Sequence, residues 1–152
     1  MYLVKHRMRY FLDVEFNGFG GPMISIAAVA EDDETLFFYE AVECVQPTDW
    51  VKSHVLPVLQ TKPVAISELT RRFLEFLRGD PTPIIVADWP EDIVHAAALL
   101  TNGQGRRLLD CEVQFKLLEE SDFSPANLSE VPHNAYYDAL ALRRWALAKE
   151  AV

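Results

Sequence analysis

The sequence predicts a single domain with a mixed β-sheet flanked by helices, of the α/β or α+β class. Three observations support this prediction. The chain has 152 residues, which is close to the size of one ordinary domain. Half of these residues are hydrophobic and 11% are aromatic, which is enough for a buried core. Strand-like segments dominate the first part of the chain, and helical segments alternate with short strands in the rest.

The first three elements are predicted to be strands. The segment 9–16 alternates with a period of two, so that apolar side chains share one face and Asp13 and Glu15 share the other. The segment 23–30 is apolar except for one serine and predicts a buried strand. An acidic turn and a third β-rich segment, 35–42, complete a predicted hairpin.

The remainder of the chain is predicted to be mostly helical. Five segments are predicted to be helices, 50–59, 66–77, 93–100, 113–119 and 135–150, and hydrophobic residues recur at helical spacing in the second of them. Two short apolar segments, 83–87 and 107–110, are predicted to be strands. The polar stretch between the fourth and fifth helices, which ends at Pro132, is predicted to be a loop.

Charge and composition exclude several functions. Lysine and arginine number 14 and aspartate and glutamate 23, which gives a net charge of −9. Such an acidic chain does not hold a long nucleic-acid duplex through a broad basic surface, although it can act on a short or single-stranded end. No apolar run approaches the length of a membrane span. The start of the chain is too short and too charged for a signal peptide.

The two cysteines, Cys44 and Cys111, lie far apart in the sequence and form no CxxC motif. This spacing argues against a zinc knuckle and against a disulfide scaffold. Free thiols are typical of a reducing compartment, so we expect the protein to be cytoplasmic.

Two carboxylates on one strand are the first candidate site. Asp13 and Glu15 point to the same side of a strand that the apolar pattern predicts to be central. Buried carboxylates there are unfavourable unless positive charge meets them. A salt bridge with Arg9, which shares their face, or a strand end that reaches solvent are the structural alternatives to a metal site.

Two further groups of polar residues accompany this pair. Asn134 is a good helix N-cap, which places His133 before the last helix and Asp138 near its first turn. Three acids, Asp88, Glu91 and Asp92, occur between the predicted strand 83–87 and the following helix. Acids at a helix start also complement the helix dipole, so this third group is weak evidence alone.

Together, these residues resemble the DEDDh group of the DEDD superfamily of 3′–5′ exonucleases, which have a ribonuclease H-like fold. The first family motif, an Asp and a Glu separated by one residue on the first strand, reads Asp13-Val14-Glu15 here. The last motif, a His and an Asp separated by four residues, reads His133 to Asp138. The resemblance therefore implies an α/β ribonuclease H-like fold with a mixed five-stranded sheet.

The segment from Met8 to Phe16 is most similar to a small bacterial and phage branch of exoribonucleases typified by a mycobacterial enzyme. In that branch, Met8 resembles the usual first residue. The resemblance thus implies a short N-terminal extension at 1–7 and one exonuclease domain at 8–152.

The middle motif departs from the family pattern. The family has an asparagine followed later by a Phe-Asp pair, whereas this chain has Asp88, Glu91 and Asp92 at those positions. We assign the middle acid to Asp92, with Asp88 as the second choice. A sister group has a tyrosine four residues before the last aspartate, where this chain has Asn134, so the histidine group is the better match.

The resemblance implies a two-metal mechanism. Carboxylate ligands without a thiolate select Mg²⁺ or Mn²⁺. Asp13, Glu15 and Asp138 would hold the first ion, Asp13 would bridge to the second, and Asp92 would support the second. In this scheme all four acids are catalytic and bind metal, and His133 acts as the general base that deprotonates the attacking water.

The expected substrate is the 3′ end of single-stranded RNA or of a short oligoribonucleotide. The expected products are nucleoside 5′-monophosphates. Phe16 and Asn17 directly follow the first motif, where family members contact the terminal nucleotide. Trp89 is a further candidate for stacking on a base. The alternatives are a DNA proofreading-type 3′–5′ exonuclease and a non-catalytic nucleic-acid-binding domain with the same fold. Homodimers are common in the family, so a homodimer is also an expectation.

Overall fold

The computed structural model of the chain describes residues 7–119 and 123–152. Its centre is a five-stranded mixed sheet with the strand order β3-β2-β1-β4-β5. The strands are β1 (Arg9–Phe16), β2 (Met23–Ala30), β3 (Phe37–Ala41), β4 (Ile84–Ala87) and β5 (Gln114–Leu117). The first three strands pair antiparallel, while β4 is parallel to β1 and β5 is parallel to β4. The predicted α/β class with a mixed five-stranded sheet is confirmed and is consistent with a ribonuclease H-like fold.

Helices cover both faces of this sheet. They are α1 (Asp49–His54), α2 (Ile66–Leu77), α3 (Pro90–Ala98), α4 (Pro125–Leu128) and α5 (Ala135–Glu150). On one face, the main core contains Leu12 of β1 with Phe73 of α2 and Ala96 of α3. On the other face, Phe11 of β1 packs with Leu142 of α5. Burial of apolar area on both faces therefore fixes β1 in the middle of the domain.

Four elements lie where the sequence predicts them. The strands β1 and β2 and the helices α2 and α5 match their predicted segments. The predicted helix 50–59 is interrupted, because α1 ends at His54 and a 3₁₀ turn follows at Leu56–Val58. Pro57 has no backbone N–H with which to continue the α-helical ladder. Helix α3 begins at Pro90, three residues earlier than predicted, because proline is favoured in the first turn.

The predictions for the segment that contains β5 are wrong. A strand was expected at 107–110 and a helix at 113–119. Instead, Arg107 forms only an isolated bridge with Thr101, and β5 occupies part of the expected helix. Leu, Lys and Glu residues favour a helix locally, but pairing of this segment with the edge of β4 overrides that preference. The short helix α4 lies in the segment predicted to be a loop.

Two expectations concern the chain ends and membranes. Of the predicted extension 1–7, only Arg7 lies within the described residues, and it is exposed. Among the helices that the structure describes, none is both long enough and apolar enough to cross a membrane.

Candidate active site

The acids of the first motif meet the last helix on one face of the sheet. Asp13 and Glu15 are opposite Ala27 and Ser25 of β2, so both side chains lie on the face covered by α5. Asp138 belongs to the first turn of α5 and is buried there. The fold therefore brings Asp138 to Asp13 and Glu15, which precede it in the sequence by more than 120 positions.

The middle acids reach the same place through the parallel strand. The register of β1 with β4 pairs Phe11 with Val86, so Asp88 lies beside Asp13 just beyond the end of β4. Helix α3 then begins, and Asp92 in its first turn points inward with only 2% of its surface exposed. Asp13 and Asp88 each lie two residues beyond the last paired positions of their strands. The parallel register therefore places these two acids side by side.

The side chains form two potential metal-binding groups. Glu15, His133 and Asp138 make up one group, and Asp13, Asp88 and Asp92 make up the other. Within each group, one ligand atom from every residue lies within 4.8 Å of the others. This grouping differs from the expected division of ligands, since Asp88 and Asp92 both face Asp13. The donors, five carboxylates and one imidazole, suit Mg²⁺ or Mn²⁺.

Nothing positive among the described residues neutralises these acids. Asp13 Oδ2 and Asp138 Oδ1 are buried and have no hydrogen-bond partner there. Arg9 lies on the same strand, but its guanidinium binds Glu31 at 2.7 Å and Glu150 at 2.6 Å. Arg9 therefore forms no salt bridge with Asp13 or Glu15, and this structural alternative to a metal site is wrong. Unpaired buried oxygens of this kind fit a site for cations.

Burial and mutual repulsion raise the pKa values of the site acids. Burial, followed by the charge of Asp138, raises the pKa of Glu15 to about 8. Burial and the charge of Asp88 raise the pKa of Asp92 to about 9, and burial raises that of Asp138 to about 6. The pKa of Asp13 is also raised well above its usual value. Without cations, the cluster therefore holds protons near neutral pH.

His133 lies at the mouth of the site in an unusual backbone conformation. Its φ is +70°, in the left-handed region that non-glycine residues rarely adopt. Its backbone N–H donates to Asp138 Oδ2 at 3.1 Å. Asn134 follows and accepts hydrogen bonds from the first N–H groups of α5. Strain of this kind persists where the surroundings hold it, often at functional sites.

The imidazole of His133 is suited to accept a proton. Burial, together with the charge of His54, lowers its pKa below the ordinary histidine value. The ring is therefore neutral at pH 7, which is the form a general base requires. Its edge packs against Trp50, with ring centroids 4.9 Å apart.

Two α1 residues that surround His133 were not predicted from the sequence to belong to the site. Trp50 and His54 stack on each other with centroids 4.7 Å apart, and both rings contact His133 edge-on. The separation of these two residues, four positions on a helix, is the signal that could have placed them on one face. What it could not show is that the segment after β3 packs near the start of α5.

Further aromatic side chains border the cavity that contains the acids. Phe19 is 85% exposed and Trp89 is 43% exposed, and their ring centroids are 6.3 Å apart. Phe16 packs on His95, as core packing would require, and also reaches both cavities next to the acids. One cavity, of about 420 Å³, contains the site acids with Trp89, while the other, of about 560 Å³, is lined by Trp50, Phe16 and Phe19.

Asn17 has a structural use that the sequence did not suggest. Its amide donates to the carbonyl of Gln46 at 3.0 Å and accepts from the N–H of Thr48 at 2.9 Å. The side chain thus fastens the β1–β2 loop to the segment before α1. Its role as a nucleotide contact stays a prediction, and the two hydrogen bonds occupy both ends of the amide.

No model of a known protein family matches the sequence, and no curated protein is significantly similar to it. The likeness to the exonuclease superfamily therefore rests on the motif residues and on their placement.

Proposed function

We propose that the protein is a metal-dependent 3′–5′ exonuclease that hydrolyses single-stranded nucleic acid, with RNA as the preferred substrate. The observation that carries this proposal is the pair of ligand groups at the end of β1. Glu15, His133 and Asp138 lie on one side and Asp13, Asp88 and Asp92 on the other, and the described residues supply no lysine or arginine for them. Two adjacent carboxylate groups are what a two-ion phosphodiester hydrolase needs.

The residues present fit divalent cations. Asp13, Glu15, Asp92 and Asp138 would hold them, with Asp88 beside Asp92 as an outer-shell partner. Bound Mg²⁺ or Mn²⁺ ions supply positive charge that activates a water molecule and stabilises the developing charge on the phosphate and leaving oxygen. The raised pKa values mean that the acids release protons as cations bind.

His133 acts as the general base. Its neutral imidazole lies beside Glu15 and Asp138, where it can accept the proton of the attacking water. The N–H contact with Asp138 and the Asn134 cap hold its backbone in place. Trp50 and His54 pack around the ring and limit its rotation.

The surroundings of the acids favour an unpaired strand. Phe19, Trp89 and Trp50 are exposed aromatic rings that can stack on bases without regard to sequence. The net charge of −9 opposes binding of a long duplex. RNA rather than DNA, a homodimeric assembly and a cytoplasmic location are further proposals, of which the last is supported by the free thiols of Cys44 and Cys111.

The test is a side-by-side digestion of 5′-labelled single-stranded RNA, single-stranded DNA and duplexes of matched sequence with Mg²⁺ or Mn²⁺. We expect the single-stranded RNA to shorten stepwise from its 3′ end with release of nucleoside 5′-monophosphates, and chelator to stop the reaction.

The alternatives give different results in the same experiment. Faster digestion of DNA would indicate a proofreading-type exonuclease. Binding of the strands without any shortening would indicate a non-catalytic domain and would contradict the proposal.

A further inference from the structure

Glu91 is an unexplained acid next to the proposed catalytic Asp92. It stands where the superfamily that the chain resembles has a phenylalanine, and it adds negative charge at the start of α3. In the described structure it belongs to neither group of potential metal ligands. Its role must therefore differ from that of Asp88 and Asp92.

The carboxylate of Glu91 has a defined partner on the other side of the site. The backbone N–H of Gly20, in the β1–β2 loop, donates to Glu91 Oε2 at 2.8 Å. This contact joins the tip of the loop to the helix that carries Asp92.

The conformation of the β1–β2 loop depends on its glycines. Gly18 and Gly20 both adopt positive φ, at +79° and +75°. A side chain at Gly21 would meet the carbonyl oxygen of Asn17 at 2.0 Å, so only glycine fits there. Asn17 fastens the opposite end of the loop.

Phe19 lies between the two fastened ends. The neighbouring Gly20–Glu91 bond holds the loop against α3, where the Phe19 ring is 6.3 Å from that of Trp89. Phe19 remains 85% exposed, so these contacts position the ring without burying it. An exposed phenylalanine that is fixed at the edge of an acidic cavity is available to a ligand with an apolar face.

We propose that Glu91 is a positioning residue that latches the β1–β2 loop onto α3 and so holds Phe19 beside Trp89 as a stacking surface for an unpaired base. This inference deepens the proposed function and rests on it. Glu91 acts on substrate affinity through Phe19, and it neither binds metal nor takes part in proton transfer.

Three variants separate the hydrogen bond from the charge. Glu91→Ala removes both, and we expect KM for a short oligoribonucleotide to rise about 5- to 150-fold, the range that corresponds to a lost base stack. We expect kcat and the affinity for Mn²⁺ to stay within about twofold. Glu91→Gln keeps an acceptor oxygen for Gly20 and should restore most of the affinity. Phe19→Ala should reproduce the KM effect of Glu91→Ala.

A double-mutant cycle tests whether Glu91 acts through Phe19. In the Phe19→Ala background, Glu91→Ala should add little to KM, because the ring that it positions is already gone. Independent, additive effects would overturn the proposal. A large fall in kcat or in Mn²⁺ affinity for both Glu91→Ala and Glu91→Gln would also overturn it, since that result indicates a metal ligand.

A second measurement does not depend on nuclease activity. Acrylamide quenching of tryptophan fluorescence, with Trp89→Phe used to identify the Trp89 signal, should increase in Glu91→Ala and remain near the wild-type value in Glu91→Gln. Unchanged quenching in Glu91→Ala would refute the latch. If the latch is observed but no strand is degraded, it is the proposed function that fails.

Discussion

Two sets of carboxylates in this chain have opposite surroundings. In one set, half-buried carboxylates are paired with arginines, as Glu31 is with Arg9 and Glu40 with Arg72. At the carboxyl end of β1, the described structure gives the buried acids no such partner. The pKa values show the contrast, because hydrogen bonds from arginines lower that of Glu68 to about 2, while burial raises that of Asp92 to about 9.

This difference distinguishes a structural acid from a functional one. An arginine-paired carboxylate stabilises the fold as it stands. A buried and unpaired cluster destabilises the metal-free protein, because its members repel each other and lose solvation. Divalent cations would stabilise the same cluster, and this contrast therefore supports the proposed metal site.

The largest expected effect is the loss of activity in Asp138→Asn. This change replaces a carboxylate of the proposed metal site with a neutral amide. We expect a loss of several kcal/mol of transition-state stabilisation, which corresponds to a decrease in rate of about 10³–10⁵-fold. The metal-free variant should be at least as stable as the wild type, because repulsion within the cluster decreases. Initial rates with labelled RNA and a thermal melt in chelator measure the two effects.

Glu40→Gln is the matched control for this variant. Glu40 is an acid whose partner is Arg72, on the face of the sheet covered by α2. The activity of the Glu40→Gln variant per folded molecule should equal that of the wild type. Near wild-type turnover in Asp138→Asn at the same Mg²⁺ concentration would contradict the site assignment.

His133→Ala should reduce kcat by roughly 10²–10⁴-fold, the contribution of a general base. The wild-type rate should rise with pH through the lowered pKa of His133, since the ring accepts a proton only when neutral, and the variant should lose that rise. Calorimetric titration should give nearly unchanged Mn²⁺ affinity. Because His133 lies within ligand distance of Glu15 and Asp138, loss of metal binding would instead make it a ligand.

The two candidates for the middle acid should differ in effect. We expect Asp88→Ala to reduce activity by about 10- to 100-fold, as outer-shell partners of metals do, and Asp92→Ala to reduce it further. Asp92 is the more buried of the two and lies on a helix, whereas Asp88 is in the connection before it. The opposite ranking in steady-state rates would move the middle motif to Asp88.

The smallest functional effect belongs to the paired acids and their arginines. Arg9→Met breaks charged hydrogen bonds with Glu31 and Glu150 and should lower the free energy of unfolding by about 1–3 kcal/mol. Thermal melts should show a loss of about 2–4 °C per kcal/mol. Activity per folded molecule should not change, and a catalytic defect without destabilisation would contradict the distinction between the two sets.

Much of the fold followed from local pattern. The strand β1 and the helix α2 were predicted because their apolar side chains repeat at the period of the element, β2 because it is almost entirely apolar, and α5 because it follows the N-cap Asn134. The fifth strand was not, because Gln114–Leu117 is a short edge segment whose strand conformation comes from pairing with β4. Its local sequence favours a helix, and no local pattern reveals a partner strand.

The site divides in the same way. Spacing that matches a family motif made it possible to predict Asp13, Glu15, His133 and Asp138 from the sequence. The central position of β1 followed from its apolar neighbours. The contacts of Trp50 and His54 with His133, and of Glu91 with Gly20, join segments that are distant in sequence. Such contacts depend on how α1 packs near the start of α5 and how the β1–β2 loop packs near α3. The periodicity of the sequence contains no information about this packing.

The most direct test of the cation site is the melting temperature as a function of pH, with chelator and with Mn²⁺. Because folding raises the pKa of Asp138 to about 6, of Glu15 to about 8 and of Asp92 to about 9, their stabilising protonation is complete below about pH 4 and is lost as pH rises through these values. Mn²⁺ replaces the lost protons, so it should raise Tm more at pH 8.5 than at pH 5, by at least about 2–4 °C. Asp138→Asn should reduce this gain. The absence of any Mn²⁺-dependent gain at pH 8.5 would contradict the conclusion that the unpaired acids form a metal site.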